Sequence, residues 1–114
     1  IYYRKVGKIY ILNKDSLSGS GKSIGLMKNE YDILKLFSEK RNISNSLIMN
    51  IFQEENKTKD FAVKKKNKTI LNLENKLLKI FKNSFIKKGK SKSDSRQLNY
   101  FLNNKIKIIE DSND

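Results

Sequence analysis

The chain contains no cysteine, no histidine and no proline. Without cysteine there is no disulfide and no thiolate zinc site. Without histidine the commonest general base and the commonest metal ligand are both missing. Glu54-Glu55 is an adjacent acidic pair in a polar stretch, and paired carboxylates must converge in a cleft to do acid–base work. The expectation is therefore a protein that is not an enzyme and needs no cofactor or metal. Because proline is absent, no helix or strand interior is broken by one. No apolar run reaches the roughly eighteen residues a membrane-spanning helix needs. Arginine is scarce, at Arg4, Arg41 and Arg96 only, against an abundance of lysine.

What is present is positive charge, and it is concentrated. The 114 residues carry a formal net charge of +13. Between Lys57 and Lys92 the lysines are opposed only by Asp60 and Glu74, so nearly all of the excess falls in that third of the chain. An AT-rich genome accounts for lysine over arginine and for the many asparagines. It does not account for an excess confined to one segment. A concentrated positive face attracts a polyanion, because binding releases the counterions condensed on it. Nucleic acid is the first candidate.

The length suits one domain with a modest core. The chain opens Ile1-Tyr2-Tyr3-Arg4-Lys5, with neither an initiator methionine nor a signal-peptide pattern, and is read as a piece of a longer cytoplasmic protein. Lys8 to Asn13 is rich in strand formers. A Ser/Gly stretch, 16–22, and a short apolar piece, 23–26, follow, which together predict a hairpin with a flexible loop. Ser18-Gly19-Ser20-Gly21-Lys22-Ser23 superficially matches a phosphate-binding loop. Position 16 is serine where that motif needs its first glycine, so the stretch is read as the hairpin loop.

From Lys28 the period changes. Tyr31, Leu34, Phe37 and Arg41 fall three and four apart, predicting an amphipathic helix. Ser44 can cap a second helix, with Ile43 and Ile48 as a hydrophobic staple. Asp60 can cap a third, running to about Phe81. Its predicted core stripe is Ile70, Leu73, Leu77 and Ile80, joined by Leu71, Leu78 and Phe81. Its outward stripe is Lys65, Lys68, Asn72, Lys76 and Lys79. Beyond it, 85–86 and 98–102 read as strands around a basic loop, 87–96, and Ile106 to Ile109 as a further short strand.

Two stretches resemble known families. Ile24-Gly25-Leu26-Met27-Lys28-Asn29-Glu30-Tyr31-Asp32-Ile33-Leu34 is similar to the entry into the first helix of OmpR-type response-regulator effector domains, with Met27 where a threonine cap is usual. Phe85-Ile86-Lys87-Lys88, Ser93-Asp94-Ser95-Arg96 and Tyr100-Phe101-Leu102 resemble the wing of MarR-type regulators. The resemblance implies an α+β winged helix-turn-helix over residues 1–114, with three helices, an N-terminal β-hairpin and a C-terminal β-hairpin wing. It further implies a cytoplasmic DNA-binding effector domain of a bacterial transcription regulator, with RNA polymerase a further partner and a homodimer on DNA. The role of minor-groove arginine falls on Arg96, steadied by Asp94. The chain lacks the Gly-x-Gly-Tyr of the OmpR-type wing and the arginine-rich third helix of that family.

The candidate DNA-binding residues are Lys64, Lys65, Lys68, Thr69, Asn72, Lys76, Lys90, Lys92 and Arg96. Lysines position a duplex through its phosphates, while Asn72 and Asn75 can pair with adenine edges and Thr69 with a phosphate or a thymine methyl. Four lysines, 64 to 66 and 68, near the start of a helix oppose the helix dipole, which makes sense if phosphates neutralise them. The bland alternatives are a solvated lysine face, a helix that begins nearer Lys68, and an Arg96 paired with Asp94. A different functional alternative is a winged-helix interaction module whose basic face meets an acidic protein. A single-strand binder is disfavoured because the basic stripe holds no aromatic residue. A membrane-surface role is disfavoured because the outward face is expected to lack large apolar side chains.

Overall fold

The computed structural model describes residues 8–53, 58–90 and 98–111, with Lys59 and Lys90 described by their backbone only. Among the described residues the architecture is α+β, with three helices and two sheets. In chain order the elements are β1 (Lys8–Leu12), β2 (Ser16–Gly19), β3 (Lys22–Gly25), α1 (Lys28–Glu39), β4 (Asn42–Ser44), α2 (Asn45–Gln53), α3 (Lys59–Phe81), β5 (Ile86–Lys90), β6 (Leu98–Leu102) and β7 (Ile106–Glu110). Among the described residues no helix is long and apolar enough to cross a membrane.

The first sheet has the order β3-β2-β1-β7, antiparallel except for the parallel β1–β7 pair. The predicted two-stranded hairpin is thus three strands. The Ser/Gly stretch read as a loop is itself β2, because Leu17 alternates inward to full burial between two serines. The tight turn is only Ser20-Gly21, both with positive φ (52° and 76°). Left-handed values at both central residues match the twist of the flanking strands. Gly19 is needed for a different reason. A Cβ there would lie 2.3 Å from Cδ1 of Tyr10. Tyr10 is fully buried, with its ring 4.8 Å from those of Phe81 and Phe85.

The second sheet has the order β4-β6-β5, all antiparallel. β4, between α1 and α2, was not expected. Its Ile43 is fully buried opposite Tyr100. The basic loop predicted over 87–96 begins as strand: Lys87, Lys88, Gly89 and Lys90 pair with β6.

α1 ends at Glu39, so Arg41 leaves the expected helical stripe. Its guanidinium instead donates two 2.7 Å hydrogen bonds, to the carbonyls of Asn103 and Ile106, and ties the end of α1 to the start of β7. α2 begins as expected: Ser44 Oγ accepts from the Leu47 amide, and Ile43 and Ile48 are both buried. α3 is capped by Thr58, whose Oγ1 accepts from the Phe61 amide, not by Asp60, which lies one step inside the first turn. One continuous core joins the elements, with Tyr10 and Leu12 from β1, Ile33 and Leu34 from α1, Ile48 and Phe52 from α2, Leu73 and Leu77 from α3 and Tyr100 from β6.

Candidate nucleic-acid interface

α3 supplies a basic surface. Its inner row is Ala62, Lys66, Ile70, Leu73, Leu77 and Phe81, all buried. The helical period sends the residues between them outward. Lys64, Lys65, Lys68, Asn72, Asn75, Lys79 and Lys82 are all exposed, and Thr69 is half-buried at the edge of that face. Lys87 and Lys88 are exposed on the neighbouring β5. So Lys64, Lys65, Lys68, Thr69 and Asn72 are brought to one face of one rod. Lys92, Arg96 and Asp94 lie outside the described residues, and Lys90 is described only as the last residue of β5.

Two lysines of the segment do something else. Lys76 is half-buried, and its Nζ donates to Glu30 Oε1 at 2.9 Å and to the Gly25 carbonyl at 3.1 Å. That ammonium is held by the protein and is a poorer phosphate contact than its place in the stripe implied. Glu30 is only 3% exposed, and its Oε1 also accepts from the Met27 amide at 2.9 Å. Met27 makes no side-chain cap. Glu30 thus satisfies one orphan amide at the start of α1 and pins that start to the middle of α3.

Lys66 is the second exception, at 4% exposed. It shares the inner row with Ile70 and Leu73, so its stem is forced inward. Its Nζ donates to Asn45 Oδ1 at 2.7 Å and lies 5.5 Å from the centre of the Tyr100 ring. Burial, aided by the nearby charge of Lys88, lowers the pKa of Lys66. On the same flank burial raises the pKa of Glu74, against the pull of Lys88. Burial, then the charge of Glu74, raises that of Tyr100. A polar cluster therefore lies between α3 and the second sheet.

Two further expectations for α3 are corrected. Because the helix starts at Lys59, Lys64, Lys65 and Lys68 lie beyond its first turn, where the dipole effect has largely decayed. Their placement is not a dipole conflict. Second, Leu71 and Leu78 are not core: they are 57% and 52% exposed, and Phe61 is 67% exposed. Each leucine follows an inner-row residue by one position, a rotation of about 100°. The outward face therefore carries three large apolar side chains among its lysines, contrary to the sequence reading.

A cleft of about 190 Å³ separates the start of α1 from α3, lined by Met27, Lys28, Asn29 and Glu30 on one side and Lys65, Thr69 and Asn72 on the other. Lys28 is exposed at this rim and extends the basic surface from α3 onto α1. Among the described residues no group of histidine, cysteine, aspartate or glutamate side chains is arranged to hold a metal. No family model, curated protein or solved structure matches the chain.

Proposed function

We propose that this chain binds double-stranded DNA in a sequence-specific manner, as the winged-helix effector domain of a bacterial transcription regulator. α3 lies in the major groove and the β5–β6 hairpin lies over the adjacent minor groove. The observation that carries the reading is the segregation on α3. One 23-residue helix buries Ile70, Leu73, Leu77 and Phe81 inward and aligns Lys64, Lys65, Lys68, Asn72 and Asn75 outward. A helix of that diameter fits the major groove, whose edges are phosphates and whose floor presents adenine and thymine contacts. The order of elements supports it. Strands precede three helices, the third of them basic, and an antiparallel strand pair follows, an order compatible with the proposed fold.

The test is a salt titration of duplex binding. Lys64→Ala, Lys65→Ala and Lys68→Ala together should weaken binding at every sequence. They should also reduce the steepness of log K against log salt by up to about 0.9 per lost phosphate contact. The paired changes Lys14→Ala and Lys40→Ala, exposed lysines off α3, should leave both nearly unchanged. An unaltered slope in the α3 variant removes the site assignment.

A second reading draws on the exposure of Phe61, Leu71 and Leu78 beside those lysines. An acidic protein with an apolar strip fits the same face. Retained binding to such a partner, with no duplex binding at low salt, decides for it.

A further inference from the structure

The DNA reading leaves Leu71 unexplained. It is more than half exposed on the outward face of α3, between the exposed Lys68 and the exposed Asn72 and Asn75. An exposed leucine alone is ordinary on a protein surface. Its helical neighbours three and four residues away, Asn67, Lys68, Glu74 and Asn75, are all polar. From Lys64 to Asn75 the helix rises about 16 Å. That is comparable to the roughly 12 Å width of the major groove, and Leu71 falls inside that stretch. The floor of the groove has one apolar feature, the 5-methyl group of thymine.

The acids on this face are informative too. Cytosine is read by a carboxylate accepting from its amino group. Between Lys64 and Lys82 the one acid is Glu74, and it is half-buried on the flank where Lys88 and Tyr100 approach. From Lys64 to Asn75 the outward face therefore offers lysines for phosphates or guanine edges, amides that match adenine, a methyl-seeking side chain and no exposed carboxylate, so the leaning toward A·T rests on the leucine and the amides. The positive face complements the polyanion; the leucine and asparagines complement one class of base pair.

We propose that α3 selects A·T-rich duplex through the major groove, with Leu71 packed on a thymine methyl and Asn72 or Asn75 paired with a neighbouring adenine. This rests on the reading of α3 as the groove-facing helix. Leu78, about 10 Å further along the axis, lies past the stretch that fits the groove. It takes no part in base selection.

The experiment compares three duplexes by fluorescence anisotropy at one salt concentration: alternating adenine and thymine, the same with uracil for thymine, and alternating guanine and cytosine. Uracil deletes the methyl and leaves the hydrogen-bonding edge intact. The native chain should bind the thymine duplex about four-fold more tightly than the uracil duplex for each methyl contacted, and the guanine–cytosine duplex most weakly. Leu71→Ala should bind the thymine and uracil duplexes alike, and Leu78→Ala should keep the native preference. Far-ultraviolet circular dichroism checks that both variants stay folded.

Equal affinity of the native chain for the thymine and uracil duplexes overturns the inference while leaving DNA binding standing. So does a methyl preference that survives Leu71→Ala. Failure to bind any of the three duplexes at low salt overturns the DNA reading itself. Self-association of the free protein that Leu71→Ala abolishes assigns the leucine to a second copy and also overturns the inference.

Discussion

Removing Lys76 should cost the fold more than removing its partner's charge. Glu30 is 3% exposed, and its Oε1 accepts from Lys76 Nζ and from the Met27 amide, both at 2.9 Å. In Lys76→Met the carboxylate stays buried, with that amide still donating to it. Breaking a fully buried pair in this way costs about 3–5 kcal/mol. The Lys76 side chain is 34% exposed, so water moderates the loss, and about 2–3 kcal/mol is expected. In Glu30→Gln the amide oxygen still accepts from Met27. The lysine keeps the Gly25 carbonyl and reaches solvent, so the loss should be about 1 kcal/mol. The double variant should lose less than the two single losses together, with a coupling of at least about 1 kcal/mol. Urea unfolding at neutral pH gives all three values, and an unchanged m-value confirms that the folded and unfolded ensembles stay comparable. If Glu30→Gln proves the costlier change, or the coupling is near zero, then the pair does not join α1 to α3 as argued.

Three further outcomes are expected. Gly19→Ala should destabilise by about 1–3 kcal/mol, because its Cβ falls on the buried Tyr10 ring. Gly21→Ala, with nothing within 4 Å but φ of +76°, should cost about 1 kcal/mol in thermal or urea unfolding, from backbone strain alone. Lys66→Met should change stability at neutral pH by less than about 1 kcal/mol, since the buried charge it removes is only partly compensated. The lowered pKa of Lys66 means that the folded state holds fewer protons than the unfolded one. Its penalty is thus fully present below that lowered pKa and is relieved as pH rises toward the ordinary lysine value of about 10.4. The raised pKa of Tyr100 acts oppositely above about pH 10. A native-minus-variant stability difference that grows in favour of the native chain as pH rises toward about 10 is therefore the signature, and a flat difference refutes it. Arg41→Ala should speed amide exchange in β7 selectively, because two carbonyls at its start lose their guanidinium donor; uniform exchange across both sheets contradicts that role.

The helices were legible because their periods are long enough to show. Leu34 and Phe37, Ile48 and Phe52, and Leu73 and Leu77 fall where a period of 3.6 predicts, and all are buried. β4 was not legible, because Asn42, Ile43 and Ser44 are too few to display an alternation; the strand exists because β6 offers a partner. β2 was hidden by its serines, since one buried leucine fixes its face. The outward face of the third helix was read with the wrong rim. Lysine was sorted outward and leucine inward by type, whereas register decides. Position 66 belongs to the row of 70, 73 and 77, and position 71 does not. Lys76 was misjudged for a different reason: its partner, Glu30, is far away in sequence. The one available hint was Glu30 itself, the third residue of α1, where a carboxylate commonly turns back on the helix end.

The outward lysines bind the stability of α3 and its proposed role into one salt dependence with two signs. Lys64, Lys65, Lys68 and Lys79 share one helix with a fixed spacing, and like charges on neighbouring turns repel. In the free chain that repulsion is opposed by burial of Ile70, Leu73, Leu77 and Phe81, and added salt screens it over a distance of about 10 Å at 0.1 M. Salt should therefore stabilise the free fold modestly. On a duplex the same charges displace condensed counterions, and added salt makes that release less favourable. Salt should therefore weaken the complex. A charge pattern that merely decorated the surface would show the first effect without the second. One that served only to bind, on a helix with no inward row to hold it, would not survive as a helix in the free chain. The rigid inner row is thus what lets the cations be held close together before any polyanion arrives, so that the ordering cost is met in folding and not in binding.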